Sequence, residues 1–112
     1  MQRVGLVVCL AAAQALWALP VLSAMAAQAD PADLALAKSK NCLSCHAVDH
    51  KVLGPAYQDV AAKYRGDTGA PARLAQKVRA GGGGVWGVVK MPSNPQLSEA
   101  EAKKLVAWVL SQ

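Results

Sequence analysis

Hydrophobic and polar positions divide the chain into two parts. Residues 4–22 are apolar apart from Gln14. After this run, apolar and polar residues are interleaved at the spacing of amphipathic helices. The pattern predicts an N-terminal apolar leader, residues 1–29, followed by a single small domain, residues 30–112.

The apolar leader has the layout of a secretory signal peptide. Arg3 gives it a positive start, and two A-x-A sites follow the apolar run, at 24–26 and 27–29. We expect cleavage after Ala29, with Ala26 as the alternative, and no stable membrane insertion afterwards. A retained membrane anchor is the other interpretation, because the run approaches the length that spans a bilayer.

The domain is predicted to contain four helices. The first begins at Asp30-Pro31 or at Asp33 and brings Cys42 and Cys45 to or near its end. Apolar spacing and turn residues place the next two over 56–64 and 70–79. The last helix begins after Ser98, which forms a capping box with the glutamate three residues later.

Residues 81–97 are predicted to form one long loop. They begin with four consecutive glycines, which interrupt regular structure. The short apolar stretch 85–89 is strand-like, but the sequence offers no second strand to pair with it. Long loops in compact domains usually carry functional residues, and this one contains Met91.

The segment Cys42-Leu43-Ser44-Cys45-His46 carries the C-x-x-C-H pattern of covalent haem attachment. Each thiol can form a thioether with one vinyl group of a haem, and the adjacent imidazole can then bind the iron. Cys9 would leave with the leader, so the two cysteines of the motif are the only ones in the mature domain. A redox dithiol, a disulfide or a zinc site that also uses His50 are the alternatives.

Met91 is the candidate for the opposite face of the iron. It is the only methionine after residue 29, and histidine–methionine ligation is a recurrent arrangement in cytochromes. His50 is the rival ligand, but it lies only four residues from His46 and would have difficulty reaching the far face. Two strong axial ligands leave no open position on the iron, which points to electron transfer and away from catalysis.

The charge of the chain is mildly basic. The full sequence has a net charge of +5, which falls by one when Arg3 leaves with the leader. Ionised haem propionates would lower it further. Such an excess suits steering toward an acidic protein surface. Without a dense lysine and arginine run, it does not indicate nucleic-acid binding.

Five ordered motifs make residues 30–112 resemble the small bacterial class I cytochromes c, in particular the cytochrome c-551 (c8) group. The motifs are Cys42–His46, Gly54-Pro55-Ala56-Tyr57, Val85-Trp86-Gly87, Met91-Pro92-Ser93-Asn94 and Trp108–Gln112. The resemblance implies an all-α, single-domain fold, with about four helices around one haem c attached through Cys42 and Cys45.

The resemblance also implies roles for particular residues. His46 and Met91 would be the two iron ligands. The remaining roles belong to residues around these ligands: the carbonyl of Pro55 would accept the other ring N–H of His46, Asn94 would hydrogen-bond near the methionine sulfur, and Trp86 and Lys77 would lie near a haem propionate.

The function implied is that of a monomeric periplasmic one-electron carrier. By resemblance, a quinol-oxidising complex would be the donor, and a nitrite reductase, a cytochrome peroxidase or a terminal oxidase the acceptor. The exposed haem edge, with Lys40, Lys51 and Lys90 around it, would form the docking surface. The alternative is a haem-based sensor or enzyme in which Met91 dissociates from the iron.

Overall fold

The computed structural model describes residues 30–112, which form an all-α fold as predicted. The predicted signal peptide lies outside the described residues. In chain order the elements are α1 (Pro31–Ser39), a 3₁₀ turn (Cys42–Ser44), α2 (Tyr57–Lys63), α3 (Ala70–Ala80) and α4 (Glu99–Leu110). None of these helices is long and apolar enough to span a membrane.

Local sequence signals explain where the first and last helices begin. The Asp30 carboxylate accepts a hydrogen bond from the Ala32 N–H at 2.9 Å, and Pro31 occupies a first-turn position that needs no N–H. At the start of α4, Ser98 Oγ accepts from the Glu101 N–H at 3.0 Å, and the Glu101 carboxylate accepts from the Ser98 N–H at 2.9 Å. This reciprocal pair is the predicted capping box.

The first helix ends shortly before Cys42, so the cysteines lie near its end but outside it. It stops at Ser39, and Asn41 then takes a left-handed conformation with φ 65°. Asparagine tolerates this region better than most residues. The chain therefore changes direction before Cys42, and both cysteines lie on the separate 3₁₀ turn and its end.

The middle helices lie within one residue of their predicted bounds. The second begins at Tyr57 and ends at Lys63, and the third extends to Ala80. Gly81 ends α3 because its φ of 75° cannot continue a right-handed helix. The predicted loop follows, and its one regular feature is an isolated antiparallel bridge between Gly82 and Met91.

Helix α4 packs against each of the other three helices. Small side chains line its contact with α3, where Ala75 and Ala102 are buried together with Val106. A second cluster joins the helices on the other side and consists of Ala37, Tyr57, Leu97, Leu105 and Trp108. Six of the eleven buried apolar residues in the described part of the chain are alanine, so the helices bury few large side chains among themselves.

Candidate haem site

A cavity of about 550 Å³ lies between the 3₁₀ turn, helices α2 to α4 and the loop that follows α3. Apolar side chains form most of its wall. Seven of the eight predicted site residues line it, and they are Cys42, Cys45, His46, Pro55, Lys77, Trp86 and Met91. The fold therefore brings the two ends of the predicted haem site together across a long stretch of sequence.

The two cysteines lie at the wall of the cavity on the 3₁₀ turn. The turn is closed by the Cys45 N–H, which donates to the Cys42 carbonyl at 3.3 Å, and the next N–H, of His46, donates to the same carbonyl at 3.1 Å. Both thiols are free and half-buried. Burial raises the pKa of the Cys42 thiol, so that the neutral form is held against the cavity at neutral pH.

The imidazole of His46 is oriented from three sides. Its Nδ1 lies 2.8 Å from the Pro55 carbonyl oxygen. Because a carbonyl only accepts, Nδ1 must carry the proton, which leaves the Nε2 lone pair for a metal. Gly54 lies against the ring so closely that an added Cβ would be 2.4 Å from His46 Cε1. Tyr57 stacks on the ring with centroids 5.2 Å apart.

Met91 is positioned by backbone contacts to the residues that end α3. The N–H of Gly82 donates to the Met91 carbonyl, and the Met91 N–H donates to the Gly82 carbonyl, both at 2.9 Å. Next to this bridge, a Cβ on Gly81 would lie 2.6 Å from the Ser93 nitrogen and 2.7 Å from the Met91 oxygen. Only glycine permits both this approach and the φ of 75°.

Trp86 and Lys77 also line the cavity. Trp86 is 40% exposed, and the Lys63 ammonium lies 5.5 Å from its ring centroid. The side chain of Lys77 runs past Gly82, where an added Cβ would be 3.2 Å from the lysine Nζ. The two residues thus offer an indole N–H and an ammonium group beside the same space.

Asn94 is the one predicted site residue that does not line the cavity. Its side-chain N–H groups donate to the carbonyl oxygens of Val78, at 3.0 Å, and Pro92, at 3.2 Å. Its backbone N–H donates to the Arg79 carbonyl at 2.9 Å. In this structure the asparagine therefore ties the loop to the end of α3, and the Met91 sulfur is not among its hydrogen-bond partners in the described chain.

The donor set and the cavity fit a covalently bound haem. Two free thiols can take the vinyl groups, and a nitrogen and a thioether sulfur are available to the iron. The indole N–H of Trp108, also in the cavity wall, is buried and has no hydrogen-bond partner among residues 30–112. An apolar space of this size would be costly to leave unfilled in so small a domain.

His50 is separated from this arrangement. Its Nδ1 pairs with an Asp49 carboxylate oxygen at 2.7 Å, and both side chains are largely exposed. The cavity that contains Met91 is lined by His46 but not by His50. The geometry thus favours Met91 over the rival ligand.

Sequence reasoning missed three contributors to the site. Gly54 and Tyr57 fix the histidine ring, and the only signal for them was their place in a recognisable motif. Arg79 contacts the loop after Met91, since its Nε donates to the Leu97 carbonyl at 3.1 Å. No spacing rule could indicate this last contact, which joins residues that are far apart in the sequence.

Comparison with known proteins relates the whole described domain to one family. A family model described as cytochrome c matches residues 34–112. Cytochrome c-551 of Pseudomonas aeruginosa is 54% identical over 77 residues, which cover 69% of this chain and 73% of the relative. Cytochrome c-552 of Nitrosomonas europaea is 49% identical over 80 residues, with 71% of this chain and 78% of the relative covered.

The fold has the same relatives. The crystal structure of wild-type Nitrosomonas europaea cytochrome c552 aligns with a TM-score of 0.67 at 48% sequence identity. The alignment covers 69% of this chain and 95% of that chain. Sequence and three-dimensional structure therefore lead to the same group of proteins.

Proposed function

The chain belongs to the cytochrome c family, carries haem c through Cys42 and Cys45, and is an electron-transfer protein, not an enzyme; on this basis we propose that it shuttles single electrons in the periplasm with His46 and Met91 as its iron ligands. The observation that carries the proposal is the common cavity, which is lined by both thiols, the oriented imidazole and the methionine. Bound haem c supplies an iron that gains and loses one electron.

The residues of the chain give this iron a closed environment. His46 presents Nε2 because the Pro55 carbonyl holds the proton on Nδ1. Met91, on the bridged loop, would supply the second ligand, and its thioether would favour the reduced state more than a second imidazole would. With both of these side chains bound, the iron would offer no position to a substrate, which suits a carrier.

The proposed docking surface surrounds the mouth of the cavity. Leu53 and Val89 line the cavity and are 59% and 61% exposed, and Val88 beside them is 95% exposed. Lys51 and Lys90 lie next to these apolar residues in the sequence and are exposed. An apolar patch with a basic rim fits a transient contact with an acidic partner surface.

The structure corrects one member of the expected lysine set. Lys40 was expected on the docking surface, but its ammonium lies 3.1 Å from a Glu101 carboxylate oxygen, and its side chain is only 22% exposed. This ion pair joins the end of α1 to the first turn of α4. Lys40 is thus better described as a link between helices than as a free docking charge.

Redox partners follow from the family, and their identities belong to the proposal. We propose a quinol-oxidising complex as the donor and a nitrite reductase, a cytochrome peroxidase or a terminal oxidase as the acceptor. Residues 1–29 would direct export and be removed, and the domain would act as a monomer. N-terminal sequencing of the exported protein tests the leader: a start at Asp30, or at Ala27 for the alternative site, supports cleavage, whereas a start at Met1 contradicts it.

Carbon monoxide binding tests the carrier function most simply. The reduced protein should show no shift of its main absorption band under carbon monoxide at neutral pH, because Met91 occupies the sixth position. Met91→Ala should bind the gas readily and serves as the positive control. Ready binding by the wild-type protein would contradict a closed carrier and favour the sensor or enzyme alternative.

A further inference from the structure

We propose that Arg79 is a positioning residue for Met91: its side chain clamps the turn that follows the methionine, and so limits how often the methionine leaves the iron. This inference rests on the proposed ligation by Met91. It concerns a residue outside the haem cavity, because Arg79 is absent from the cavity wall. Arg79 would therefore act through its contacts to the loop.

Arg79 holds both ends of one short turn. Its carbonyl accepts from the Asn94 N–H at 2.9 Å, and its Nε donates to the Leu97 carbonyl at 3.1 Å. The turn itself is closed by the Leu97 N–H, which donates to the Asn94 carbonyl at 3.1 Å. One residue at the end of α3 thus fixes the whole segment 94–97.

The clamped turn connects Met91 to a rigid part of the fold. Leu97 is 1% exposed and belongs to the core cluster that contains Trp108. On the other side of the turn, only Pro92 and Ser93 separate Met91 from Asn94. On this side of Met91, a backbone movement away from the cavity must be absorbed by these residues or by the turn, and Arg79 restrains the turn.

Two kinds of interaction are available to the Arg79 side chain. Besides the Nε hydrogen bond, its positive charge lies near Glu99, whose pKa is lowered mainly by Lys103 and to a smaller degree by Arg79. Glutamine can separate the two effects, since its Nε2 stands at the same distance along the side chain as arginine Nε but carries no charge. Methionine has similar length and no N–H at that position.

Imidazole binding to the oxidised holoprotein measures how often Met91 leaves the iron. Imidazole takes the sixth position only when the methionine is away, so its apparent affinity follows the population of the open state. We expect Arg79→Met to bind imidazole about tenfold more tightly than the wild type, because a carbonyl loses its donor. Arg79→Gln should stay within about twofold of the wild type, since the donor is retained.

A matched control separates positioning from general stability. Lys104→Met removes an ion pair between α4 and α1, Lys104 Nζ to Asp33 Oδ1 at 3.3 Å, on a part of the fold away from the loop. It should leave imidazole affinity unchanged. Equal tightening in Lys104→Met and Arg79→Met, equal tightening in both Arg79 variants, or no change in Arg79→Met would each overturn the clamp.

The same titration distinguishes failure of the clamp from failure of the proposed ligation. Met91→Ala should bind imidazole far more tightly than any Arg79 variant. If it binds with wild-type affinity, Met91 is not the ligand and both proposals fail. If it binds more tightly while Arg79→Met does not, only the clamp is wrong.

Hydrogen exchange in the wild-type holoprotein tests, without a variant, whether the turn 94–97 is held. The clamp requires a closed turn, so the amide of Asn94, bonded to the main-chain carbonyl of Arg79, should exchange much more slowly than the amide of Val88, whose residue is 95% exposed. Equal exchange at the two positions would show that the turn is not held, and would overturn the proposal.

Discussion

The two sides of the haem site are held in different ways. The histidine side, residues 42–57, is stabilised by contacts within its own stretch: the Gly54 N–H donates to the Cys45 carbonyl at 2.8 Å, and Tyr57 N–H to the Ala47 carbonyl at 2.9 Å. The methionine side, residues 81–97, has its own bridge between Gly82 and Met91 but also depends on α3, to which Asn94 and Leu97 are joined through separate hydrogen bonds.

Under the proposed ligation by His46 and Met91, this difference determines which of the two ligands is easier to displace. The histidine side is anchored by its contacts and by two covalent thioethers next to the ligand. The methionine side has no such covalent link, and its loop is held by its own backbone bridge and by hydrogen bonds to the end of α3. Local opening of that loop would cost less than opening of the histidine side. Ligand exchange should therefore begin at Met91.

Removal of both thiols should have a larger effect on haem binding than any change at a glycine or at Glu101. In the double variant Cys42→Ala and Cys45→Ala, the histidine side loses its covalent anchor, and we expect almost no haem to remain with the protein after denaturing electrophoresis. A haem stain measures this directly. Ser44→Ala lies within the same motif and should keep the stain, whereas haem retained by the double variant would contradict thioether attachment.

An alanine substitution at one glycine on each side of the haem site should distinguish the ways in which the two sides are held. Gly54→Ala places a Cβ 2.4 Å from the His46 ring, which must shift away from Pro55. Gly81→Ala forces alanine to a φ of 75° and against Ser93. We expect each to lower the free energy of unfolding of the holoprotein by about 1–3 kcal/mol in guanidinium titrations.

The spectra of these two variants should then differ. Gly81→Ala should weaken the sulfur–iron band of the oxidised protein, because it displaces the loop that carries Met91. Gly54→Ala should retain more of that band, since its clash lies at the histidine. Equal loss of the band in both variants would contradict the independence of the two sides.

Glu101→Gln should have the smallest effect, and one that depends on pH. The hydrogen bond from the Ser98 N–H, followed by that from Lys40, lowers the pKa of the Glu101 carboxyl in the folded protein. Its stabilising effect is therefore present above the ordinary glutamate pKa of about 4.3 and is lost as the pH falls through the lowered value.

Denaturant titrations of the wild type and Glu101→Gln at several pH values measure this contribution. The wild type should be slightly more stable at neutral pH, and the difference should shrink toward zero in acid. The visible absorption spectrum of the haem should be the same in the wild type and in Glu101→Gln at neutral pH. A stability difference that grew as the pH fell would have the wrong sign for a lowered pKa.

The same contrast explains what the sequence could predict. Short, local sequence patterns specify the thiols, the histidine and the capping box, so these features could be predicted from spacing and chemistry. The helices were predicted for the same reason, but the left-handed Asn41, which places the cysteines on a separate turn, was not. The contacts of Arg79 with Asn94 and Leu97, and the ion pair of Lys40, join residues that are distant in the sequence. They depend on how α3 and α4 pack in the folded protein.

Asn94 illustrates the limit of transfer by resemblance. Its motif placed it near Met91, and it is indeed close in sequence. Its amide, however, is directed to the carbonyls of Val78 and Pro92, because the end of α3 presents an acceptor there. A motif can name a residue that matters without fixing which atoms it contacts.

The central claim is that His46 and Met91 together close the coordination of the iron. The most direct test is the absorption spectrum of the oxidised holoprotein, compared among the wild type, Met91→Ala and His50→Ala. We predict a weak band near the red edge of the visible spectrum in the wild type and in His50→Ala, and its loss in Met91→Ala. A wild-type spectrum without this band, or a band that survives in Met91→Ala, would contradict the claim.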